Sequence, residues 1–223
     1  MIPNQRHLFD LPEDVAYLNV AYTAPLLHAA ANAGRDAIQA KQNPWTISSN
    51  DFFNSVETVR ELFAGIVGSN PDCVAITPAV SYGIALAAKN LPLKEGQSIV
   101  VLHDQFPSNV YSWRNLASQK NAVLKTIPRP VDSDWTPALL ETIDDDTAIV
   151  AVCNCHWTDG TRIDLVKIGE RCRSVGAALV IDGSQSLGAM PFSVKKVQPD
   201  FLVTTSHKWL LGSYSLGFCY VAP

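Results

Sequence analysis

Short apolar runs alternate with amphipathic stretches through most of this 223-residue chain, and this alternation limits the possible fold more than any other feature. The apolar runs have the length of buried β-strands, and hydrophobic residues recur at helical spacing between most of them. We predict strands over residues 73–76, 98–102, 123–127, 148–152, 178–181, 201–203 and 217–221. We predict helices over residues 25–42, 54–67, 82–89, 109–119, 137–143 and 164–175. Strands and helices that alternate in this way favour an α/β fold, a three-layer sandwich in which helices cover both faces of a mostly parallel sheet.

The composition indicates a compact globular protein. Hydrophobic residues make up 47% of the chain and charged residues 17%, which is typical of a folded domain with a sizeable core. Residues 1–50 are loop-rich and then alanine-rich, without the strand signals of the remainder. We therefore expect an N-terminal arm over residues 1–50 beside a main domain over residues 51–223.

Charge and hydropathy exclude several classes of partner. Seventeen basic and 21 acidic residues give a formal net charge of -4 without a basic cluster, which argues against nucleic acid. No apolar run approaches the roughly 20 residues that span a bilayer, and the first residues lack the apolar core of a secretory signal. The five cysteines are an odd number without the spacing of a disulfide framework, so we expect a cytoplasmic location.

Two predicted strands end in residues that can carry chemistry. Asp182 follows the strand at 178–181, and Lys208 follows the strand at 201–203. In an open α/β sheet, ligands bind at the carboxyl ends of the strands. A lysine amine can form a Schiff base with the aldehyde of pyridoxal phosphate (PLP), and a carboxylate can keep the pyridine nitrogen of that cofactor protonated. The pair predicts a PLP site; the structural alternatives are a solvated lysine and an aspartate in a cap or a salt bridge.

The surroundings of Lys208 favour the functional interpretation. It lies between His207 and the apolar residues 209–211, directly after a buried strand. Partial desolvation makes a lysine lose its proton more readily, and the free amine is the nucleophile. Lys195 and Lys196 lack such surroundings, so we expect them to be solvated.

The segment DGSQSLGA at 182–189, followed by TSHKW at 205–209, resembles the class V aminotransferase family. These PLP enzymes include cysteine desulfurases, selenocysteine lyases, kynureninase and isopenicillin N epimerase. The resemblance covers nearly the whole chain, and the two motifs in this order are more specific than either alone. It implies the large domain of the PLP-dependent transferase fold, PLP as cofactor, an amino-acid substrate, and a homodimer with the active site at its interface.

The resemblance also implies roles for residues in the two motifs. Lys208 would be the Schiff-base lysine and the catalytic residue, and Asp182 would contact the pyridine nitrogen. Gln185 would bind the ring hydroxyl. Thr205 and His207 would contact the phosphate.

Three further loops match positions near the cofactor or substrate in this family. Val80 and Ser81 match the phosphate turn, although Ser81 could also be an ordinary N-cap. Phe106 matches the position of a ring stacked on the cofactor, where desulfurases have a histidine; a core phenylalanine is the alternative. His156 and Trp157 match a Ser-Asn pair near the substrate in desulfurases, and we predict that His156 contacts the substrate.

Other functions remain open at this point. Family members continue beyond the position of Pro223 into a C-terminal domain that supplies an arginine for the substrate carboxylate, so a truncated, non-catalytic relative is one alternative. A desulfurase or selenocysteine lyase is another, although a phenylalanine at position 106 cannot shuttle protons. A Ser/His/Asp hydrolase would need a Gly-x-Ser-x-Gly elbow, which does not occur. Cys153, Cys155 and His156 lack a second ligand pair at zinc spacing, so we expect no metal.

Overall fold

A computed structural model describes residues 3–223 and contains one seven-stranded sheet, with strand order β1-β7-β6-β5-β4-β2-β3. The strands are β1 Val74–Thr77, β2 Ser98–Leu102, β3 Val123–Ile127, β4 Thr147–Cys153, β5 Ala178–Asp182, β6 Phe201–Thr205 and β7 Gly217–Val221. The pairs β3–β2, β2–β4, β4–β5 and β5–β6 are parallel, whereas β7 is antiparallel to both β6 and β1. The predicted mostly parallel sheet is confirmed.

Helices cover both faces of the sheet. They are α1 His28–Gln42, α2 Asp51–Val67, α3 Val80–Asn90, α4 Tyr111–Lys120, α5 Trp135–Thr142, α6 Leu165–Val175 and the short α7 Val194–Val197. Single 3-10 turns occur at Arg6–Leu8, Pro44–Thr46, Pro71–Cys73 and Pro107–Asn109. The one four-residue helix, α7, is too short to leave a periodic pattern in the sequence, and we did not predict it.

The strand sequences explain why the sheet is buried on both sides. Successive side chains of a strand point to opposite faces. In β2, Val100 and Leu102 join an apolar cluster with α2, α5 and α6, whereas Ile99 and Val101 join a second cluster with α3 and α4. A central strand in this position must be apolar at nearly every residue, which is why β2 has no alternating pattern.

The helix α3 packs unusually close to β6. A Cβ atom at Gly83 would lie 2.6 Å from Cγ1 of Val203, a distance that real side chains do not show. The absence of a side chain at Gly83 therefore lets α3 approach the sheet. This approach brings the first turn of α3 to the carboxyl end of β6.

The N-terminal residues form few core contacts of their own. In residues 3–50, α1 contains no buried residue. Two long-range hydrogen bonds join residues 3–50 to the rest of the described chain: the Ala24 amide donates to the His207 carbonyl (2.8 Å), and Gln185 Nε2 donates to the Ala21 carbonyl (3.0 Å). Residues 1 and 2 of the predicted arm lie outside the described residues.

None of the helices between residues 3 and 223 combines the length and apolar character needed to cross a bilayer.

Candidate active site

A cavity of about 410 Å³ lies at the carboxyl ends of the parallel strands. It gathers most of the residues that the sequence singled out. The predicted site residues that line this cavity are Val80, Phe106, Asp182, Gln185, Thr205, His207 and Lys208. Side chains from separate strands and loops thus meet as expected for the edge of an open α/β sheet.

Asp182 is the last residue of β5, and its carboxylate is buried. Its Oδ1 accepts hydrogen bonds from the Ser184 amide (3.0 Å) and from Ser184 Oγ (2.6 Å). The described residues offer no hydrogen bond to Oδ2. Burial raises the pKa of Asp182, although the hydrogen bonds from Ser184 and the charge of Lys208 oppose this shift. The carboxylate is therefore held in place with one oxygen available to a ligand.

Lys208 follows β6 and projects a partly buried amine into the same cavity. Burial lowers the pKa of Lys208, whereas the nearby charge of Asp182 acts in the opposite direction. The lysine Nζ lies 5.5 Å from the centre of the Phe106 ring. The lysine is consequently easier to deprotonate than an exposed one, and its amine faces an aromatic ring.

Phe106 and Trp157 form what we call the aromatic wall of the cavity. Their ring centres are 5.5 Å apart and their planes are nearly perpendicular, at 87°. The indole Nε1 of Trp157 donates to the Asp104 carbonyl (2.6 Å). Because its polar atom is already satisfied, the indole presents only apolar surface to the cavity.

Thr205 and His207 are joined to each other. Thr205 Oγ1 and His207 Nδ1 share a hydrogen bond of 2.6 Å, and the imidazole packs on the Tyr214 ring at 4.4 Å. Burial, followed by the charge of Lys208, lowers the pKa of His207. This shift favours the neutral imidazole, which can donate or accept a hydrogen bond.

The first turn of α3 offers free amides to the cavity. Its N-cap is Ala79, which has extended backbone and no side chain that could cap the helix. Among the described residues, the amides of Val80 and Ser81 have no backbone or side-chain acceptor. Uncapped amides at a helix N-terminus favour an anion. The Ser81 side chain is exposed and does not line the cavity, so Ser81 neither caps the helix nor projects its hydroxyl into the site.

Gln185 lines the cavity, yet both polar atoms of its amide are engaged. Its Nε2 donates to the Ala21 carbonyl, and its Oε1 accepts from Trp209 Nε1 (3.0 Å). The side chain therefore connects the N-terminal arm with the loop after β6. Its predicted contact with a ring hydroxyl stays a prediction.

The structure corrects the prediction for His156. The ring is fully buried and does not line the cavity. It stacks on Trp135 with a centroid distance of 5.1 Å, and its two nitrogens pair with Thr158 Oγ1 (2.9 Å) and the His103 carbonyl (3.2 Å). A side chain without exposed surface cannot contact a substrate. Its neighbour Trp157 occupies the cavity instead.

Several lining residues were not identified from the sequence. Tyr22 and Thr23 belong to the N-terminal residues, and no local sequence pattern indicates that these residues pack against the cavity. Cys153 lies opposite Asp182 in the β4–β5 register, and this position at the end of a buried strand could have indicated it. Burial and the charge of Asp182 raise the pKa of Cys153 well above that of a free thiol. The remaining lining residues without a predicted role are Pro78, Ala79, Gln105, Ser108, Cys155, Ser184, Tyr214 and Ser215.

Residues 3–223 contain no group of three or more His, Cys, Asp or Glu side chains arranged to hold a metal ion. The five cysteines, all within this range, are free thiols.

A mostly parallel sheet with a cavity at the carboxyl ends of its strands defines an α/β protein with a ligand site at the sheet edge. Comparison with known proteins identifies the family. Residues 17–223 match the family model described as aminotransferase class-V, and the chain belongs to that family. This confirms the resemblance drawn from the two sequence motifs.

Particular relatives agree with this assignment. The chain is similar to the uncharacterized aminotransferase YcbU of Bacillus subtilis, with 29% identity over 187 residues, 83% of this chain and 48% of that protein. It is also similar to a probable cysteine desulfurase of Methanothermobacter thermautotrophicus, with 28% identity over 166 residues, 74% of this chain and 41% of that protein. The chain thus spans about half the length of the curated relatives it matches.

A solved structure confirms the fold. The structure of a C-DES variant with glycine covalently linked to its PLP cofactor superposes with a TM-score of 0.89. The match covers 98% of this chain and 60% of that one, at 20% sequence identity.

Proposed function

We propose that this chain is the PLP-binding large domain of an enzyme that acts on an amino acid, with Lys208 as the residue that bonds to the cofactor. One observation supports this proposal above the others. Asp182 and Lys208 line the same cavity, the first with a free carboxylate oxygen and the second with a lowered pKa.

The residues of the cavity fit the three chemical parts of PLP. The free oxygen of Asp182 suits a protonated pyridine nitrogen, since a buried carboxylate needs a partner. The Phe106 ring, close to the Lys208 amine, suits an aromatic face. The uncapped first turn of α3, with Thr205 and His207, suits a phosphate dianion.

The chemistry then divides between cofactor and protein. When bound, PLP supplies a ring that accepts electrons from the α-carbon of an amino acid. The carboxylate of Asp182 would hold the protonated ring nitrogen. The free amine of Lys208, which lines the same cavity, would take or return a proton of the substrate. The reaction that follows proton removal differs among members of the family, and we propose only this shared step.

Relatives and neighbours support the same proposal. YcbU is described as an aminotransferase, and the C-DES structure holds PLP with glycine attached. We further propose that residues 1–50 act as an arm beside the domain of residues 51–223, that two chains form a homodimer, and that the protein is cytoplasmic. The free thiols fit a reducing compartment.

The visible absorbance of the chain mixed with PLP tests the proposal. We expect a new band that is absent in Lys208→Ala and retained in the control Lys195→Ala, an exposed lysine outside the cavity. Addition of single amino acids should then shift the band. A band that is equally strong in Lys208→Ala would refute the proposal, and a band that no amino acid shifts would favour the non-catalytic alternative.

Cysteine desulfurase chemistry is a second candidate because several relatives carry that name. It needs a nucleophilic thiolate to accept sulfur, and burial raises the pKa values of Cys153 and Cys155, the two cysteines that line the cavity. We therefore expect the PLP-loaded chain to release no more sulfide from cysteine than Lys208→Ala does. Sulfide release that depends on Lys208 would favour this second function.

A further inference from the structure

We propose that the cavity selects amino acids with an apolar side chain, and that Trp157 is the residue that determines this specificity. The inference rests on the proposed function, because it concerns the substrate of the same site.

The position of Trp157 places it where a substrate side chain would lie. The Phe106 ring approaches the Lys208 amine, and the indole of Trp157 meets that ring edge to face. Trp157 thus adjoins the ring that the amine approaches, within the same cavity lining. A group attached near the amine and extending along the aromatic wall would contact the indole.

The indole of Trp157 offers a ligand in the cavity only apolar surface. Its only hydrogen-bond donor is occupied by the Asp104 carbonyl at 2.6 Å, and an indole has no acceptor. About half of the surface of Trp157 remains exposed (47%), which leaves apolar surface for a ligand to cover. Burial of that surface is favourable only for a ligand that is itself apolar.

The loop that carries Trp157 is held in one position. The preceding residue, His156, is stacked on Trp135 and hydrogen-bonded through both ring nitrogens. The following residues are held by Arg129, which donates to Thr158 Oγ1 (2.6 Å) and pairs with Asp159. A pre-organised wall gives more selectivity than a mobile one because little entropy is lost on binding.

The charges of the cavity disfavour an acidic side chain. Within the described lining, the cofactor would engage both the acid Asp182 and the base Lys208, and burial lowers the pKa of His207, which favours its neutral form. No arginine is among these lining residues. A substrate carboxylate on the side chain would lose water without gaining a partner.

The expected ratio of affinities for apolar and acidic side chains can be judged from the effect of single methylene groups in apolar pockets. A single methylene group in such a pocket changes binding by about 10- to 200-fold. We therefore expect a bulky apolar side chain to bind at least ~10-fold more tightly than an acidic one.

The test is calorimetric binding of two α-methyl amino acids to the PLP-loaded chain. These compounds have no α-proton to lose, so affinity is measured without turnover. We expect α-methylphenylalanine to bind at least ~10-fold more tightly than α-methylaspartate. The ratio should fall about 10-fold in Trp157→Ala and persist in Trp157→Phe, which keeps an aromatic ring. Trp45→Ala is the matched control, because Trp45 is 80% exposed and outside the cavity.

The outcomes separate this inference from the proposed function. If PLP binds and α-methylaspartate is preferred, the proposed function stands and this inference is wrong. A ratio unchanged in a folded Trp157→Ala, or lost in Trp157→Phe as completely as in Trp157→Ala, assigns specificity to another residue. If PLP does not bind to Lys208 at all, both proposals fail. Circular dichroism of each variant shows whether it is folded.

Discussion

The carboxylate of Asp182 and the amine of Lys208 line one cavity, and each shifts the pKa of the other toward its charged form. Burial acts more strongly and in the opposite direction on both groups. In the chain without a ligand, both groups are thus biased toward neutrality. A cationic ring nitrogen beside Asp182 would favour the charged form of the carboxylate.

The lowered pKa of Lys208 predicts the pH dependence of its reaction with PLP. Only the neutral amine reacts, so the rate of capture should reach its plateau at a lower pH than for an exposed lysine. Asp182→Asn removes a negative charge that raises the pKa of Lys208, so the midpoint should fall to a lower pH in this variant. Stopped-flow absorbance across pH measures both midpoints. A midpoint like that of free lysine, or one that rises in Asp182→Asn, would contradict this prediction.

Gly83→Ala should destabilise the protein and disturb the end of the cavity that is formed by the first turn of α3. A Cβ at this position would overlap Val203, and overpacking of this kind costs about 1–3 kcal/mol. Gly65 in α2 has no atom within 4 Å of the same added carbon, so Gly65→Ala should gain about 0.5–1 kcal/mol. Urea denaturation gives the free energy of unfolding of each variant. Equal effects of the two substitutions would show that the close approach of α3 is not required.

His156 should stabilise the fold without contributing a pH-sensitive charge to the site. Burial lowers the pKa of His156, so protonation favours the unfolded chain, and the stability from this group declines as pH falls below the unfolded value of about 6.5. His156→Gln should lower the free energy of unfolding by about 2 kcal/mol at pH 7. The difference from the parent should shrink as the solution is acidified.

Denaturant titrations at several pH values test this prediction, with exposed His28→Gln as control. A difference between His156→Gln and the parent that grows on acidification would mean that the folded protein prefers the protonated ring.

Much of the fold could be predicted because the apolar runs of strands and the apolar stripes of helices are both local patterns in the sequence. The strands β2, β4 and β5 are nearly continuous apolar runs, and α6 shows a clear apolar stripe with Leu165, Ile168 and Cys172 buried. The predicted start of α5, Pro137, is two residues late: the helix begins at Trp135, and the side chain of its N-cap Asp134 accepts from the Thr136 amide. A proline in the first turn is compatible with that earlier start.

The proximity of two candidate residues could be predicted because each of them follows the end of a predicted strand. Asp182 and Lys208 are such residues, and the structure brings them into one cavity. The sequence did not indicate whether His156 or Trp157 lines the cavity, since this depends on how the loop after Cys153 is folded. Trp135, in the helix α5, is far from the histidine in sequence, and its stacking on His156 holds that ring in the core.

The identity of the lysine that bonds to PLP is the most direct measure of the central claim. After incubation with an equimolar amount of PLP, reduction with borohydride fixes the cofactor to its lysine, and peptide mass spectrometry locates it. We predict that the added mass lies on Lys208 and not on exposed lysines such as Lys195 or Lys196. Label spread over the exposed lysines, with Lys208 unmodified, would contradict the account.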